Sequence, residues 1–249
     1  SGKAAAVTGC GLVKIFTAKE NRTILQQRLP EAILTTFEPA DEELVPKLTE
    51  SVAWADVVVL GPGLGTDGSA REMVTAVLRS AVVPVVIDAD ALNVLAEDPQ
   101  PLRECSAKTI LTPHMGEMAR LTGKTIREIS VSMVAFAVAM AKEYHTVCVL
   151  KDARTVTALP DGTYYINTSG NNGMATAGAG DVLTGIIAGL IAQGMKPEEA
   201  AFFGAFLHGM AGDVMVEKTG CYSMMASDII EGIRQVTRKV RKESDYESI

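Results

Sequence analysis

Short apolar runs alternate along the chain with segments whose apolar residues recur at helical spacing. Most of the runs lack an alternation of polar and apolar residues, which is typical of strands covered on both faces of a parallel sheet. We predict strands at residues 12–17, 57–60, 84–87, 109–111 and 146–150. Between them, helices are predicted at residues 21–27, 69–79 and 131–144. Such alternation predicts an α/β fold with a largely parallel sheet.

The pattern changes after residue 150, where two short β-branched and aromatic segments flank a turn. Residues 155–158 and 163–167 lie on either side of Pro160-Asp161-Gly162, which predicts a β-hairpin. Further helices are predicted at residues 181–193, from Pro197 onward and at residues 227–240. No linker, repeat or low-complexity segment interrupts the chain, so residues 1–249 are predicted to form one domain.

Charge and composition exclude several classes of function. The 249 residues include 30 acidic and 23 basic side chains and have a net charge of −7, which argues against nucleic acid as a main partner. The four cysteines are widely spaced and form no CxxC pair, which indicates a reducing, cytoplasmic location. The longest charge-free apolar run, residues 182–195, is too short and too interrupted by glycine to span a membrane.

The first candidate site is the glycine-rich segment that follows the predicted strand at residues 57–60. Gly63, Gly65 and Gly68 match the pattern G-x-G-x-x-G, and Asp88 follows 20 residues after Gly68. This combination is the fingerprint of a dinucleotide-binding βαβ unit. A tight turn that needs glycine for positive φ angles explains the same glycines. Both interpretations stay open from the sequence.

The second candidate site is Thr112-Pro113-His114-Met115-Gly116-Glu117, directly after another predicted strand. Pro113 ends the strand, and Glu117 is expected in the first turn of a helix. A functional and a structural role are equally consistent with the position of His114. His145 and His208 lie in helical or apolar surroundings, where we expect structural roles.

The third candidate site is the run of small residues from Gly170 to Asp181 that leads into an apolar helix. The open N–H groups and the dipole of such a helix start attract anions. Asp181 either caps this helix or serves as the base of a phosphoryl transfer; we favour the second role. No Walker A or protein-kinase motif occurs, and no residues have metal-ligand spacing. Magnesium could still arrive on the phosphates of a nucleotide.

Four segments together resemble the family of ADP-dependent NAD(P)H-hydrate dehydratases. Residues 170–185, GNNGMATAGAGDVLTG, look like the family signature. Residues 61–65, 88–92 and 112–121 match further family motifs in the right order. The resemblance covers about residues 9–232. It implies a ribokinase-like fold, in which helices flank both faces of a central, mostly parallel sheet that carries a small β-hairpin.

The family repairs NADHX and NADPHX, in which water has added to the nicotinamide ring, and the resemblance implies the same substrates here. It implies ADP or ATP as phosphoryl donor, with Mg²⁺, and a homotetrameric assembly. Asp181 is then the catalytic base and a substrate contact. The implied nucleotide-binding residues are Lys151, Asp152, Ala153, Arg154, Thr155, Gly178, Ala179 and Gly180. The other implied substrate-binding residues are Gly63, Gly65, His114, Glu117 and Asn172.

The beginning of the chain departs from the family pattern. Family members begin with a strand that carries a glycine-rich turn, followed by a helix. Residues 1–8 resemble the tail of that helix, so we expect the first strand of the family to be missing from this sequence. Many bacterial relatives also carry a fused epimerase half upstream, and residues 1–249 show none.

Three other functions compete with the dehydratase. A vitamin-precursor kinase of the same fold would share Asp181 and the anion site but release a phosphorylated product. A nicotinamide-dependent dehydrogenase would use Gly63, Gly65, Gly68 and Asp88, and leaves Asp181 unexplained. A non-catalytic nucleotide-binding module is the third alternative.

Overall fold

A computed structural model describes residues 1–38 and 41–244 and contains two sheets. The smaller sheet pairs two parallel strands, β1 (Lys14–Ala18) and β2 (Ile33–Phe37). The larger sheet has six strands in sequential order. These are β3 (Val58–Leu60), β4 (Val85–Ile87), β5 (Thr109–Leu111), β6 (Val147–Leu150), β7 (Val156–Ala158) and β8 (Tyr164–Ile166). Strands β3 to β6 are parallel, and β7 and β8 continue the sheet as an antiparallel hairpin.

Helices connect the parallel strands and cover the sheet. The first half of the chain contributes α1 (Gly2–Thr8), α2 (Arg22–Arg28), α3 (Leu44–Trp54), α4 (Gly68–Ser80), α5 (Asp90–Glu97) and α6 (Gln100–Glu104). The second half contributes α7 (Met115–Thr122), α8 (Ile126–Ser130), α9 (Met133–Glu143), α10 (Ala179–Ala192), α11 (Pro197–Thr219) and α12 (Ala226–Ser244). Among the described residues, no helix combines the length and apolar character needed to cross a bilayer.

The core is divided by the large sheet because successive side chains of a strand point to opposite faces. On β5, Leu111 packs into one apolar cluster and Ile110 into the other. The Leu111 face is covered by helices from α3 to α9. The Ile110 face is covered by α1, α10, α11 and α12. Helices therefore flank both faces, as predicted for this α/β fold.

The predicted elements are confirmed where the apolar pattern is strong. The strand predicted at residues 109–111 has those bounds, and the hairpin pairs β7 with β8. The helix predicted at residues 131–144 is slightly shorter in the structure, where it begins at Met133 and ends at Glu143. Strand β2 and helices α3, α5, α6 and α8 were not predicted.

Candidate active site

The carboxyl ends of the parallel strands bring the three candidate segments to one edge of the sheet. Gly61 follows β3, Asp88 follows β4, and Lys151 follows β6. A backbone bridge joins His114, after β5, to Lys151. Ligands of open parallel sheets bind beyond these strand ends, so this edge is the candidate active site.

A buried ion pair occupies the centre of this edge. Lys151 Nζ donates to Asp88 Oδ1 over 2.7 Å, and Thr184 Oγ1 donates to Asp88 Oδ2 over 2.7 Å. The Asp88 side chain is 2% exposed, whereas that of Lys151 is 17% exposed. The lysine therefore borders the open edge while its carboxylate partner lies beneath it.

The surroundings of Asp88 keep its carboxylate ionised. Burial by itself would raise the pKa of Asp88, since it disfavours the charged form. The Lys151 charge and the hydrogen bonds from Lys151 and Thr184 outweigh burial, and the pKa of Asp88 lies below its ordinary value.

The glycine segment after β3 packs tightly against the turn after β4. Gly61 has φ of +121°, and a Cβ atom at this position would lie 1.8 Å from the Asp88 carbonyl oxygen. Asp90 Oδ2 accepts the Gly65 N–H over 2.9 Å. Gly63 and Gly65 have positive φ angles and face open space, so their backbone is accessible to a ligand.

The dinucleotide fingerprint fails in the structure. Gly68 is the first residue of α4, where Asp67 caps the helix and accepts the Ala70 N–H over 2.9 Å. A carboxylate thus occupies the position where a pyrophosphate would bind. Asp88, the acidic residue of the fingerprint, is buried and paired with Lys151. The dehydrogenase alternative loses both observations that supported it.

His114 and Glu117 form a capping box at the start of α7. His114 Nδ1 accepts the N–H groups of Gly116 and Glu117 over 2.9 and 3.2 Å. Glu117 Oε2 accepts the His114 N–H over 2.8 Å, and Glu117 Oε1 lies 3.4 Å from His114 Nε2. His114 therefore has a structural role, and its half-exposed ring still borders the candidate site.

Burial favours the neutral forms of both side chains of the capping box. Burial lowers the pKa of His114, and the positive charges of Lys151 and Arg120 lower it further. Burial raises the pKa of Glu117 above its ordinary value, although Lys151 opposes this shift. Since Nδ1 accepts two backbone N–H groups, the neutral imidazole carries its proton on Nε2.

Helix α10 begins with its N–H groups open toward the candidate site. Gly178 is the N-cap residue, with φ of +85° and no side-chain cap. Within the described part of the chain, the N–H groups of Gly180 and Asp181 have no backbone acceptor. A Cβ atom on Gly180 would lie 3.2 Å from Lys151 Nζ. A positive charge and unpaired N–H groups thus meet at this helix start.

Asp181 is the third residue of α10 and does not cap it. The hydrogen bonds that the described residues form at this edge engage Asp88, Asp90 and Glu117 but not Asp181. Capping therefore does not explain Asp181, and its carboxylate is available to accept a proton.

The loop before α10 is fixed by an aspartate on α11. Asp213 accepts the Gly170 N–H over 2.8 Å and the Asn171 side-chain amide over 2.9 Å. Asn171 in turn accepts the Gly173 N–H, at the start of a short 3₁₀ turn. The predicted substrate contact Asn172 is the first residue of that turn and is exposed.

The segment predicted to bind nucleotide after Lys151 forms an exposed connection between β6 and β7. Arg154 donates to the Thr168 carbonyl oxygen over 2.8 Å, which ties the connection to the loop leading toward Gly170. Asp152 and Ala153 are exposed, and Thr155 is half-buried. None of these four residues contacts the Asp88–Lys151 pair in the hydrogen bonds of the described residues.

Thr184 and Asp213 were missed by the sequence analysis, although each had a signal. Thr184 and Asp181 are the two polar side chains of the otherwise apolar helix α10, and Asp213 is a carboxylate among small and apolar residues of α11. Such isolated polar residues need partners when they are buried. Among the described residues, no group of three or more His, Cys, Asp or Glu side chains could hold a metal ion.

Comparisons with known proteins show the family of this chain. The sequence profile of the family described as NAD(P)H-hydrate dehydratase (Carb_kinase) matches residues 1–235. The bifunctional NAD(P)H-hydrate repair enzyme of Moorella thermoacetica is 44% identical over 245 residues, which are 96% of this chain and 46% of that protein. This chain therefore spans under half the length of such bifunctional relatives.

A shorter relative and a solved structure match over more of their own length. The ADP-dependent (S)-NAD(P)H-hydrate dehydratase of Neisseria meningitidis is 37% identical over 252 residues, 97% of this chain and 80% of that protein. The ADP/ATP-dependent NAD(P)H-hydrate dehydratase of Bacillus subtilis, co-crystallised with ATP and Mg²⁺, superposes with a TM-score of 0.81. It is 28% identical and matches 96% of this chain and 84% of that structure. The predicted ribokinase-like fold is confirmed.

Proposed function

Because the chain belongs to the NAD(P)H-hydrate dehydratase family, we propose that it repairs NADHX and NADPHX. It converts their (6S) forms back to NADH and NADPH at the expense of ADP. The start of α10 carries this proposal, because the Asp181 carboxylate lies there without a capping role beside unpaired N–H groups. A proton acceptor next to an anion site is what phosphoryl transfer to a hydroxyl group requires.

Phosphoryl transfer is the first proposed step. Asp181 takes the proton of the ring hydroxyl group, and the hydroxyl oxygen forms a bond to the terminal phosphorus of ADP. The bond between that phosphorus and the bridging oxygen breaks, and AMP leaves. The open N–H groups of Gly180 and Asp181 and the Lys151 ammonium group stabilise the negative charge that develops on the phosphoryl oxygens. The Ala179 N–H, also expected there, instead donates to the Thr176 carbonyl oxygen over 3.2 Å.

Elimination is the second proposed step. The C–O bond to the new phosphate group breaks as the ring nitrogen donates its electron pair, and inorganic phosphate leaves. The adjacent ring carbon then loses a proton, and the dihydropyridine is restored. Phosphate is a much better leaving group than hydroxide, so this step needs no strong second base.

The hydrate is proposed to bind along the ends of β3 and β5. Gly63 and Gly65 offer open backbone for close approach. His114 and Glu117 lie beside Lys151, and a neutral His114 would donate from Nε2. Asn172, in the loop before α10, would also contact the hydrate.

The nucleotide is proposed to bind between α10 and the connection after β6. Lys151 and the start of α10 would hold the phosphates, and Asp152, Ala153, Arg154 and Thr155 would border the nucleoside. Mg²⁺ would enter with the nucleotide and neutralise phosphate charge, because a phosphate-bound Mg²⁺ needs only one or two protein carboxylates. The described residues offer no larger ligand group.

Assembly and location are proposed from the family resemblance. We propose that residues 1–249 form a single dehydratase domain and that the protein is a homotetramer in the cytoplasm. The free thiols of Cys10, Cys105, Cys148 and Cys221 support a reducing compartment.

Product analysis tests the proposed reaction. Incubation with NADHX, ADP and Mg²⁺ should restore the absorbance of the reduced nicotinamide, with AMP and free phosphate in amounts equal to NADH. Parallel incubations with ATP and with NADPHX establish the preferred substrates. A stable phosphorylated small molecule without free phosphate would instead identify a kinase. ADP binding without turnover of any substrate would indicate a nucleotide-binding module.

The Asp181→Asn variant tests the assigned base. Asparagine is nearly isosteric, so the fold and ADP affinity should be retained, while kcat should fall by about 10²–10⁴-fold. Asp67→Asn is the matched control, since Asp67 caps α4 and asparagine also caps helices well. Near-normal turnover by Asp181→Asn would remove Asp181 from the mechanism.

A further inference from the structure

We propose that Asp88 is a positioning residue of the phosphoryl-transfer site, which together with Thr184 holds the Lys151 ammonium group against the first turn of α10 so that it contacts the terminal phosphates of ADP. The reaction step in this inference rests on the proposed function. Its structural content is a coupling between Asp88 and Lys151, which ADP binding alone can measure.

The pair joins two strands that are not neighbours. Asp88 follows β4 and Lys151 follows β6, and β5 lies between these strands. The lysine side chain therefore reaches across the end of β5 to its partner. Both Asp88 oxygens are engaged, one by Lys151 and one by Thr184, each over 2.7 Å. A carboxylate held at both oxygens gives the ammonium group one fixed position.

The ammonium group retains the capacity to bind an anion. It carries three N–H donors, and Asp88 accepts from it at one oxygen. Lys151 borders the open edge, whereas Asp88 is buried below. The 3.2 Å distance between Nζ and the position of a Cβ on Gly180 puts the charge against the helix start. The cation and the open N–H groups of α10 therefore face the same anion.

Stability alone does not account for this arrangement. A buried ion pair is often no more stabilising than apolar residues of similar volume, and the rest of this edge is built on apolar strands. A cation fixed before the substrate arrives is, by contrast, worth much to phosphoryl transfer, because no reorganisation is needed during the reaction. The arrangement thus favours a positioning role over a purely structural one.

A double-mutant cycle on Asp88 and Lys151 tests the coupling. Lys151→Met should lower kcat/KM for ADP by about 10²-fold. Asp88→Asn keeps the shape but replaces a charged partner, and should lower both kcat/KM for ADP and ADP affinity by about tenfold. In the Lys151→Met background, Asp88→Asn should cause no further loss.

The Thr184→Val variant tests the same idea without removing a charge. It deletes one of the two hydrogen bonds to Asp88 and should weaken ADP affinity a few-fold. Thr146→Val is the matched control, because Thr146 is also buried and bonds to Thr109, at the opposite ends of β5 and β6. The control should lose thermal stability to a similar extent and keep its ADP affinity.

The measurements are ADP affinity by calorimetry, steady-state kinetics and the melting temperature of each variant. Additive losses in the cycle, or a folded Asp88→Asn enzyme with normal ADP affinity and turnover, would overturn the proposal. If Asp88→Asn does not fold, equal ADP affinities of Thr184→Val and Thr146→Val would overturn it. A wild-type protein that binds ADP but does not convert NADHX would refute the proposed function. The ADP affinities of the double-mutant cycle would still decide the role of Asp88.

Discussion

Two aspartates at the same edge of the sheet have different surroundings and therefore different chemistry. Asp88 is buried, ionised and bonded at both oxygens, so it has no free oxygen with which to accept a substrate proton. Asp181 lies at the start of α10 and caps nothing. Only the second aspartate suits a base, and the first suits a fixed counter-charge.

His208 gives a prediction at the same scale, through the pH dependence of stability. Its Nε2 atom is buried without a hydrogen-bond partner among the described residues, and burial lowers the pKa of His208 to about 4. The unfolded chain, with the ordinary value of 6.5, takes up a proton first as the pH falls. The contribution of the neutral His208 to the free energy of unfolding is therefore fully present above pH 6.5 and is lost as the pH falls from 6.5 to about 4.

Urea unfolding at pH 7 and pH 5 measures this effect. Between these values, the wild-type protein should lose about 2 kcal/mol of unfolding free energy more than His208→Gln, which cannot titrate. Equal losses of unfolding free energy between pH 7 and pH 5 in the wild type and in His208→Gln would show that His208 is not buried in its neutral form.

Residue types were predictable from the sequence, but most of their pairings were not. The sequence pattern places Asp88 in a dinucleotide-binding fingerprint, whereas the structure pairs its carboxylate with Lys151 and Thr184. Its partners Lys151 and Thr184 are 63 and 96 residues away, and only the order of the strands brings them together. No local spacing carries that information.

At the scale of elements, two helix starts with similar glycine-rich approaches differ in function. Helix α4 is capped by Asp67, which accepts the Ala70 N–H and adds a negative charge. Helix α10 follows Gly178, which has no side chain to cap it. The second start alone is open to an anion, although glycines precede both in the sequence.

Helix α7 gives a prediction that separates the two roles of His114. Asparagine is a good N-cap residue, so His114→Asn should keep the stability of the wild type, whereas His114→Leu should lose about 1 kcal/mol of unfolding free energy. If His114 also contacts the hydrate, His114→Asn should raise KM for NADHX about tenfold and leave KM for ADP unchanged. Unfolding curves and steady-state kinetics measure both effects.

Helix α8 provides the matched control, because Thr125 and Glu128 form the same capping box there. Thr125→Asn should keep stability, Thr125→Leu should lose it, and neither should change KM for NADHX. Normal kinetics in a stable His114→Asn variant would leave His114 with a capping role only.

Strands that are fully buried in the structure were predicted from the sequence, whereas a partly exposed strand was not. The fully buried strands β4, β5 and β6 are apolar apart from Thr109, and each was predicted. Strand β2, Ile33–Phe37, is only partly buried and contains two threonines, so it lacks the continuous apolar run on which the predictions relied. Its residue types nevertheless favour a strand, and it pairs in register with β1.

At the scale of the whole molecule, the large sheet separates two apolar clusters that could unfold together or separately. Ile110 and Leu111 are adjacent, fully buried, and packed into opposite clusters. Replacing either by alanine should cost about 2–5 kcal/mol of unfolding free energy, because each change leaves a cavity. If residues 1–249 form one domain, each variant should still unfold in a single transition.

Amide hydrogen exchange of α5 and α11 distinguishes one unfolding unit from two, because these helices cover opposite faces of the sheet. In a single domain, the most protected amides of both helices exchange through global unfolding. Ile110→Ala and Leu111→Ala should then each accelerate exchange in both helices by the same factor, set by the loss of unfolding free energy. Acceleration confined to α11 in Ile110→Ala and to α5 in Leu111→Ala would show two separable units. The active site would then lie at the edge of a sheet that belongs to both units, with the hydrogen bond from Thr184 to Asp88 on the face covered by α10.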